Sequence, residues 1–323
     1  MPNTYPIFIV SLLGLIFSSN LLLKFVESFS SKIKISPLII GATIIAIGTS
    51  LPETSVAISA ISQGVPDVSF GDIIGSNIAN ICLILGIGIT FFPVRIGTEK
   101  TQRNNIILFT LTLLFTILLM LPEATRKSFG IALMLFYVAF LIIETVWGKI
   151  GSLKEDKKAI ARMERGRGSA VIYLLGMLAS ISGLVISSKY LVMSAITISK
   201  SIGVEEEIIG LSMVAIGTSL PELATTIMSG IKKDWKLLYG DIQGSNIYNL
   251  SIIGALLISF GKSGYFIDSF SLAFMFITTM AIIVLSNKFE GRSIPRSFGI
   301  AFLVIYAIYI LKIYFQSEVQ ILH

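Results

Sequence analysis

Glu53 and Glu222 each close the same eight residues, AIGTSLPE, at 46–53 and again at 215–222, and both octapeptides lie inside apolar stretches. A carboxylate in such a setting costs several kcal/mol unless something compensates it. Around each one the sequence supplies only oxygen. Pro52 and Pro221 lack a backbone N–H and press on the carbonyl four residues back. A half-helix is therefore expected to end around Gly48 and Thr49, and a second to begin with the proline in its first turn. Carbonyls at the end of the first half-helix carry partial negative charge, and Thr49, Ser50, Thr218 and Ser219 add hydroxyls. Such donors suit a dehydrated hard cation.

A second block repeats downstream. Residues 71–80 read GDIIGSNIAN and 240–249 read GDIQGSNIYN. Ser76 and Asn80 are four apart and share one helix face, as do Ser245 and Asn249, so each face can offer neutral oxygens to a cation held by the glutamates. Asn77 and Asn246 divide evenly between that role and interhelical hydrogen bonding. Asp72 and Asp241 stand at the expected starts of their helices, where an acid complements the helix dipole, with a place in an ion vestibule as the second reading. No Lys, Arg or His falls near mid-span beside either glutamate. Each glutamate is thus either protonated at rest or neutralised by a cation. A protonated Glu bridging two helices explains one such residue more readily than two, each beside a proline break.

The elements that must position these residues are membrane spans. The chain has 323 residues, 54% hydrophobic and 14% charged, with mean hydropathy +0.86, against about 25% charged in a soluble domain. Apolar runs occur at 6–24, 38–62, 70–92, 104–121, 129–148, 170–190, 208–231, 239–260, 267–286 and 296–315, long enough to cross a bilayer. The fold class is all-α and polytopic, with ten transmembrane helices, the second and seventh broken. The first apolar stretch follows no basic n-region and leads into further spans, so no cleavable signal is expected. One cysteine, Cys82, and one histidine, His323, exclude an internal disulfide and the usual zinc, haem and iron–sulfur sites; no cofactor is expected. A nucleophile with a conventional base at membrane depth is also missing, which argues against an enzyme.

Basic residues orient the chain. Nineteen of the 25 Lys and Arg fall in the odd-numbered connections, whereas the even-numbered ones hold Arg126, Lys127, Lys200 and Lys262. The positive-inside rule then puts both termini outside and the central loop in the cytoplasm. The net charge of +6 reflects this asymmetry and not nucleic-acid binding. The organisation expected is a first five-helix repeat at 1–148, a cytoplasmic linker at 149–169 acting as a solvated tether, and a second five-helix repeat at 170–323. Both repeated blocks share one offset of 169 residues. Five is odd, so the second copy enters the membrane from the opposite side, and the halves are related by a pseudo-two-fold axis in the membrane plane. That is the inverted-repeat plan of secondary transporters.

AIGTSLPE followed by GSNxxxN, present twice in inverted halves, resembles the α-repeats of the sodium/calcium exchangers, within the cation/calcium antiporter superfamily. The resemblance covers the whole chain and is tightest at 41–90 and 208–259. It implies a metal site between the second, third, seventh and eighth spans. Its ligands would be the carboxylates of Glu53 and Glu222, the hydroxyls of Ser50, Ser219, Ser76 and Ser245, the carbonyls of Ala46, Thr49, Ala215 and Thr218, and the amides of Asn80 and Asn249. It also implies that the first and sixth spans form a long tilted pair sliding past the other eight; here they carry Ser18, Ser19, Ser187 and Ser188 at the same offset. The expected activity is exchange of Ca²⁺ for Na⁺ by alternating access, electrogenic if three Na⁺ replace one Ca²⁺. Some relatives carry aspartate where Asn249 stands, a pattern similar to the potassium-dependent branch, so asparagine argues against K⁺ coupling and leaves a site charge of −2 from the glutamates alone. H⁺ or K⁺ coupling and, less favoured, a passive cation channel remain as alternatives. The central loop is too short for the calcium-sensing insert of animal exchangers, which suits a prokaryotic plasma (inner) membrane. The partners expected are Ca²⁺, Na⁺ and the lipid bilayer, with no obligate protein partner.

Overall fold

The computed structural model describes residues 4–64, 66–96, 99–150, 168–201, 217–261 and 268–321. Ala215, the first half of the seventh span and nearly all of the 149–169 linker lie outside the described residues. Within them the chain is almost entirely helical. We label the helices α1 (Thr4–Ile33), α2 (Pro37–Thr49), α3 (Leu51–Gln63), α4 (Pro66–Ala79, running on through Asn80–Leu85 to Gly86–Phe91), α5 (Glu99–Met120), α6 (Glu123–Ile150) and α7 (Ala170–Ser201). The remaining ones are α8 (Leu220–Ile231), α9 (Trp235–Tyr248, running on through Asn249–Ile253 to Gly254–Phe260), α10 (Ser269–Lys288) and α11 (Arg296–Ile321). Seven are long and apolar enough to cross a membrane, and the bent pair α2–α3 makes an eighth span. The other two are α8, which is half a span, and α9, whose Asp241, Gln243, Asn246 and Asn249 lower its hydropathy.

The breaks fall where the prolines direct them. α2 and α3 meet at an angle of 44°. The hinge residue Ser50 has φ −86° and ψ 15°, and its counterpart Ser219 has φ −86° and ψ 7°, with Pro52 and Pro221 in the first turn of the helices that follow. The two breaks are thus built alike.

Several helices outrun their apolar runs. α1 continues to Ile33 where the hydropathy suggests an end near residue 24, and α7 to Ser201 in place of about 190. Backbone hydrogen bonding carries a helix on into the headgroup layer, where polar side chains are solvated, so hydropathy marks the hydrocarbon and not the helix end. At 30 residues α1 is about 45 Å long, longer than the hydrocarbon core, and such helices tilt. α1 and α7 pack on each other along their length. Their crossing is mirrored: a Cβ on Gly14 would stand 2.6 Å from Ser187 Oγ, and one on Gly183 would stand 2.5 Å from Ser18 Oγ. α1 and α7 share an apolar cluster, including Leu15, Leu22, Met177 and Leu184, that is separate from the main core.

α4 and α9 occupy the centre. The span 68–91 is 78% buried, against 22% for 296–313, and every residue of α9 from Leu237 to Tyr248 is buried. α9 lies backbone to backbone on α2: a Cβ on Gly240 would meet Leu38 O at 2.4 Å, and one on Gly244 would meet Ala42 Cα at 2.5 Å. α9 is also tied to α5, and through it to α10. Tyr239 donates to Asn105 Oδ1 at 2.7 Å, Gln243 Nε2 donates to Thr101 O at 2.9 Å, and Asn105 Nδ2 donates to Ser286 Oγ at 2.9 Å.

Gly244→Ala should destabilise the protein by about 1–3 kcal/mol, because the atom it meets is backbone and cannot rotate away. Gly14→Ala should cost less, since Ser187 Oγ can turn aside. Melting of the detergent-solubilised protein, followed by the loss of monodisperse material, ranks the two.

Candidate functional site

Four broken or π-wound elements bring the repeated residues together. Thr49, Ser50 and Glu53 flank the first break, and Thr218, Ser219 and Glu222 the second; Ser76, Asn77 and Asn80 come from α4, and Ser245, Asn246 and Asn249 from α9. All twelve are buried. Asn80 and Asn249 each open a π-helical segment, a distortion frequent at functional sites, which periodicity alone does not signal. Ala46 is buried in α2, while Ala215 lies outside the described residues.

Contacts cross between the halves in reciprocal pairs. Thr49 Oγ1 donates to Asp241 Oδ1 at 3.3 Å, and Thr218 Oγ1 donates to Asp72 Oδ1 at 3.3 Å. The hydroxyls of Thr49 and Ser245 stand 3.4 Å apart, and those of Thr218 and Ser76 3.5 Å. Each member of one pair sits 169 residues from its counterpart in the other, so the inverted repeat is visible in the side-chain geometry. At the crossing, Asn80 Nδ2 donates to Asn246 Oδ1 at 2.8 Å and Asn246 Nδ2 donates to Asn77 O at 3.3 Å. Asn246 therefore joins the halves, and Asn77 turns its amide to its own helix, at Ile73 O.

Glu222 Oε1 accepts from Ser50 at 3.1 Å and from Ser245 at 3.4 Å. Neither oxygen of Glu53 makes a hydrogen bond of ordinary geometry, and Glu222 Oε2, Ser219 Oγ, Asn80 Oδ1, Asn249 Oδ1 and Asp72 Oδ2 are likewise buried without a partner. Leaving such groups unpaired costs about 1–3 kcal/mol each, and native interiors hold few of them. Among the described residues neither glutamate has a basic neighbour. The ion pair of half-buried Arg103 with buried Glu144 joins α5 and α6, outside this network.

Two residues depart from expectation. Asp72 and Asp241 do not cap their helices, because α4 and α9 begin earlier, at Pro66 and Trp235. Both aspartates lie in the second turn, buried, and accept from the threonine of the opposite half. The sequence held the signal: Asp72, Ser76 and Asn80 are spaced by four, as are Asp241, Ser245 and Asn249. With them the network contains four carboxylates, and the expected charge of −2 counts only half of them. No three acidic, His or Cys side chains among the described residues converge closely enough to form a metal cage, so carboxylates act here beside hydroxyls and amides.

One freed carbonyl is already engaged. Ser188 Oγ, on α7, donates to Gly217 O at 2.9 Å, the carbonyl four residues before Pro221. α7 also reaches both breaks through their glycines: a Cβ would stand 2.4 Å from Ile181 at Gly48 and 2.7 Å from Val192 at Gly217.

The profile of the sodium/calcium exchanger protein family matches residues 4–146 and 172–315, nearly the whole chain. The chain belongs to the sodium/calcium exchanger family. A relative from Alkalimonas amylolytica, the putative antiporter CaxA, is 35% identical over 76% of this chain and 77% of its own. The sodium/calcium exchanger MaX1 of Methanosarcina acetivorans is 27% identical over 95% of this chain and 98% of its own. Among solved structures, the sodium-calcium exchanger NCX_Mj soaked with zero Na⁺ and Ca²⁺ superposes with a TM-score of 0.82, covering 96% of this chain and 99% of that one at 24% identity. The helical fold of this family member thus agrees with the fold of that exchanger.

Asn246→Ala should lower stability by about 1–3 kcal/mol, since it strips partners from the Asn80 amide and the Asn77 carbonyl at once. The loss should appear in thermal melts without any added Na⁺ or Ca²⁺, which separates it from loss of ion binding.

Proposed function

We propose that this chain is a secondary antiporter that exchanges Ca²⁺ for Na⁺ by alternating access in the plasma (inner) membrane, with both termini outside and the central loop cytoplasmic. The observation that carries the reading is the set of buried, unpartnered oxygens around Glu53 and Glu222, which have no basic neighbour among the described residues. In a low-dielectric interior those carboxylates need positive charge, and hard oxygen donors select Na⁺ and Ca²⁺ over softer metals. The proposed ligands are Glu53, Glu222, Ser50, Ser219, Thr49, Thr218, Ala46, Ala215, Ser76, Ser245, Asn80 and Asn249. The name of one relative, a putative antiporter, supports antiport, and the names of the other relative and of the solved exchanger support Na⁺ and Ca²⁺ as the ions.

The two ions compete for the same oxygens. Ca²⁺ takes 6–8 oxygen ligands, and filling that shell leaves too few for a full set of Na⁺. With cation bound, the charge of the two glutamates that α1 and α7 must slide across is offset; an empty site presents naked carboxylates to the apolar faces of those helices and resists the motion. That asymmetry suppresses uncoupled leak. Exchange of three Na⁺ for one Ca²⁺ moves one net charge, whatever the fixed charge of the site. The domain plan follows: two inverted repeats, 1–148 and 170–323, joined by a tether at 149–169.

One rival rests on a specific observation. Four buried carboxylates in a single network also offer places for protons, so H⁺ in place of Na⁺ is the alternative coupling ion.

Proteoliposomes loaded in turn with Na⁺, K⁺ or acid decide the coupling. Uptake of ⁴⁵Ca²⁺ should follow the outward Na⁺ gradient and should respond to membrane potential; uptake driven by the pH gradient alone would replace Na⁺ by H⁺. Glu53→Gln and Glu222→Gln should each abolish uptake, a loss of at least about 100-fold if the missing charge contributes about 3 kcal/mol. Full exchange in either variant would refute the shared site.

A further inference from the structure

The two aspartates of the site are not equivalent. Asp241 has both carboxylate oxygens engaged, Oδ1 by Thr49 and Oδ2 by Thr225. Asp72 accepts from Thr218 at Oδ1, but its Oδ2 is buried without a partner. Position 56 accounts for the difference: it holds valine where the second half has Thr225. A second substitution points the same way. Ser69, three residues before Asp72 and on the same face of α4, is buried with an unpartnered hydroxyl; its counterpart on α9 is Leu238. The first half thus lacks a threonine at the position whose counterpart occupies Asp241, and carries an unpartnered hydroxyl three residues before Asp72.

We propose that Asp72 and Ser69 form a cation position of their own, adjoining the Glu53–Glu222 centre, and that it takes a small monovalent hard cation of the Na⁺ class. This inference rests on the antiport reading above. The donors are Asp72 Oδ2, Ser69 Oγ and the hydroxyl lone pairs of Ser76 and Thr218, which stand 3.5 Å apart. That set is too small for Ca²⁺, with its 6–8 oxygens, and one unengaged carboxylate oxygen matches a single positive charge. Glu53 feels the charge of Asp72 as well as that of Glu222, so a cation against Asp72 also relieves repulsion at the centre. Ser69 precedes Asp72 on α4, so this position lies towards the N-terminal end of that helix. With the proposed orientation that is the external side, on the way from the outer solution to the glutamates. The second half offers no equivalent, since Thr225 fills Asp241 and Leu238 replaces the hydroxyl.

The test imports the second half's residues into the first, in the full-length protein. Val56→Thr keeps every carboxylate and gives Asp72 the partner that Asp241 has. Ser69→Ala removes the extra oxygen, and Asp72→Asn removes the charge. Equilibrium binding of ²²Na⁺ and the Na⁺ dependence of ⁴⁵Ca²⁺ flux are read for each. All three should lose one bound Na⁺, seen as a fall of about one in the Hill coefficient, while Val56→Thr retains Ca²⁺/Ca²⁺ exchange. Unchanged Na⁺ binding and Hill coefficient in Val56→Thr and Asp72→Asn would overturn the proposal. So would the loss of Ca²⁺/Ca²⁺ exchange in Val56→Thr, which would place Asp72 within the shared site. Glu53→Gln is run alongside: exchange surviving in that variant refutes the shared glutamate site and leaves the Na⁺ count at Asp72 to stand or fall by itself.

Discussion

Acidic side chains held in a membrane interior without basic partners are the constraint on which the rest of this structure depends. Glu53 and Glu222 are each about 1% exposed or less, and no Lys or Arg among the described residues comes near them. Burying an unpaired carboxylate in a medium of low dielectric is so costly that the surrounding chain must either neutralise it or supply a mobile counter-charge. Every unusual local feature converges on this need. The proline breaks deliver half-helix ends, the serine hinges deliver hydroxyls, and the π segments at Asn80 and Asn249 turn amides into the same space.

The surrounding architecture divides into a part locked by backbone contacts and a pair of long helices packed in another way. α9 is nested on α2 through Gly240 and Gly244 with backbone contacts that leave no freedom, and Tyr239 and Gln243 bind it to α5. α1 and α7 meet through glycine–serine contacts at Gly14 and Gly183 and through Phe25 on Gly176, over an apolar cluster that also takes in Ile39, Ile40 and Ile45 of α2. α7 nevertheless touches both breaks, through Ile181, Val192 and Ser188, so its position is sensed at Gly48 and Gly217.

Much of this was legible in the residues. The repeated octapeptide announced both breaks because proline acts locally, through its own ring and missing N–H. Eight spans among the described residues followed from hydropathy, the property on which a bilayer selects, whereas the polar residues of α9 lower its hydropathy. Helix ends did not follow, because α1 and α7 continue by backbone hydrogen bonding where the hydropathy signal has stopped. Asp72 and Asp241 were misplaced for a related reason. An acid looks like a cap when the helix is taken to begin at the first apolar residue, and both helices begin about a turn earlier. The bridging of Asn246 to Asn80 and Asn77 depends on how two halves dock, and no local pattern encodes that. Ala215 and the tether between the halves fall outside the described residues.

The reciprocal threonine–aspartate contacts carry an implication about ancestry. Thr49 serves Asp241 and Thr218 serves Asp72, so neither five-helix unit is self-sufficient: each lends its hydroxyl to the other. A progenitor with one such unit would have worked only as two identical molecules threaded through the bilayer in opposite senses. With both copies in one chain, nothing demands that they stay the same. Val56 opposite Thr225, Ser69 opposite Leu238 and Ile74 opposite Gln243 are what that release permits: two faces of one palindrome, free to specialise.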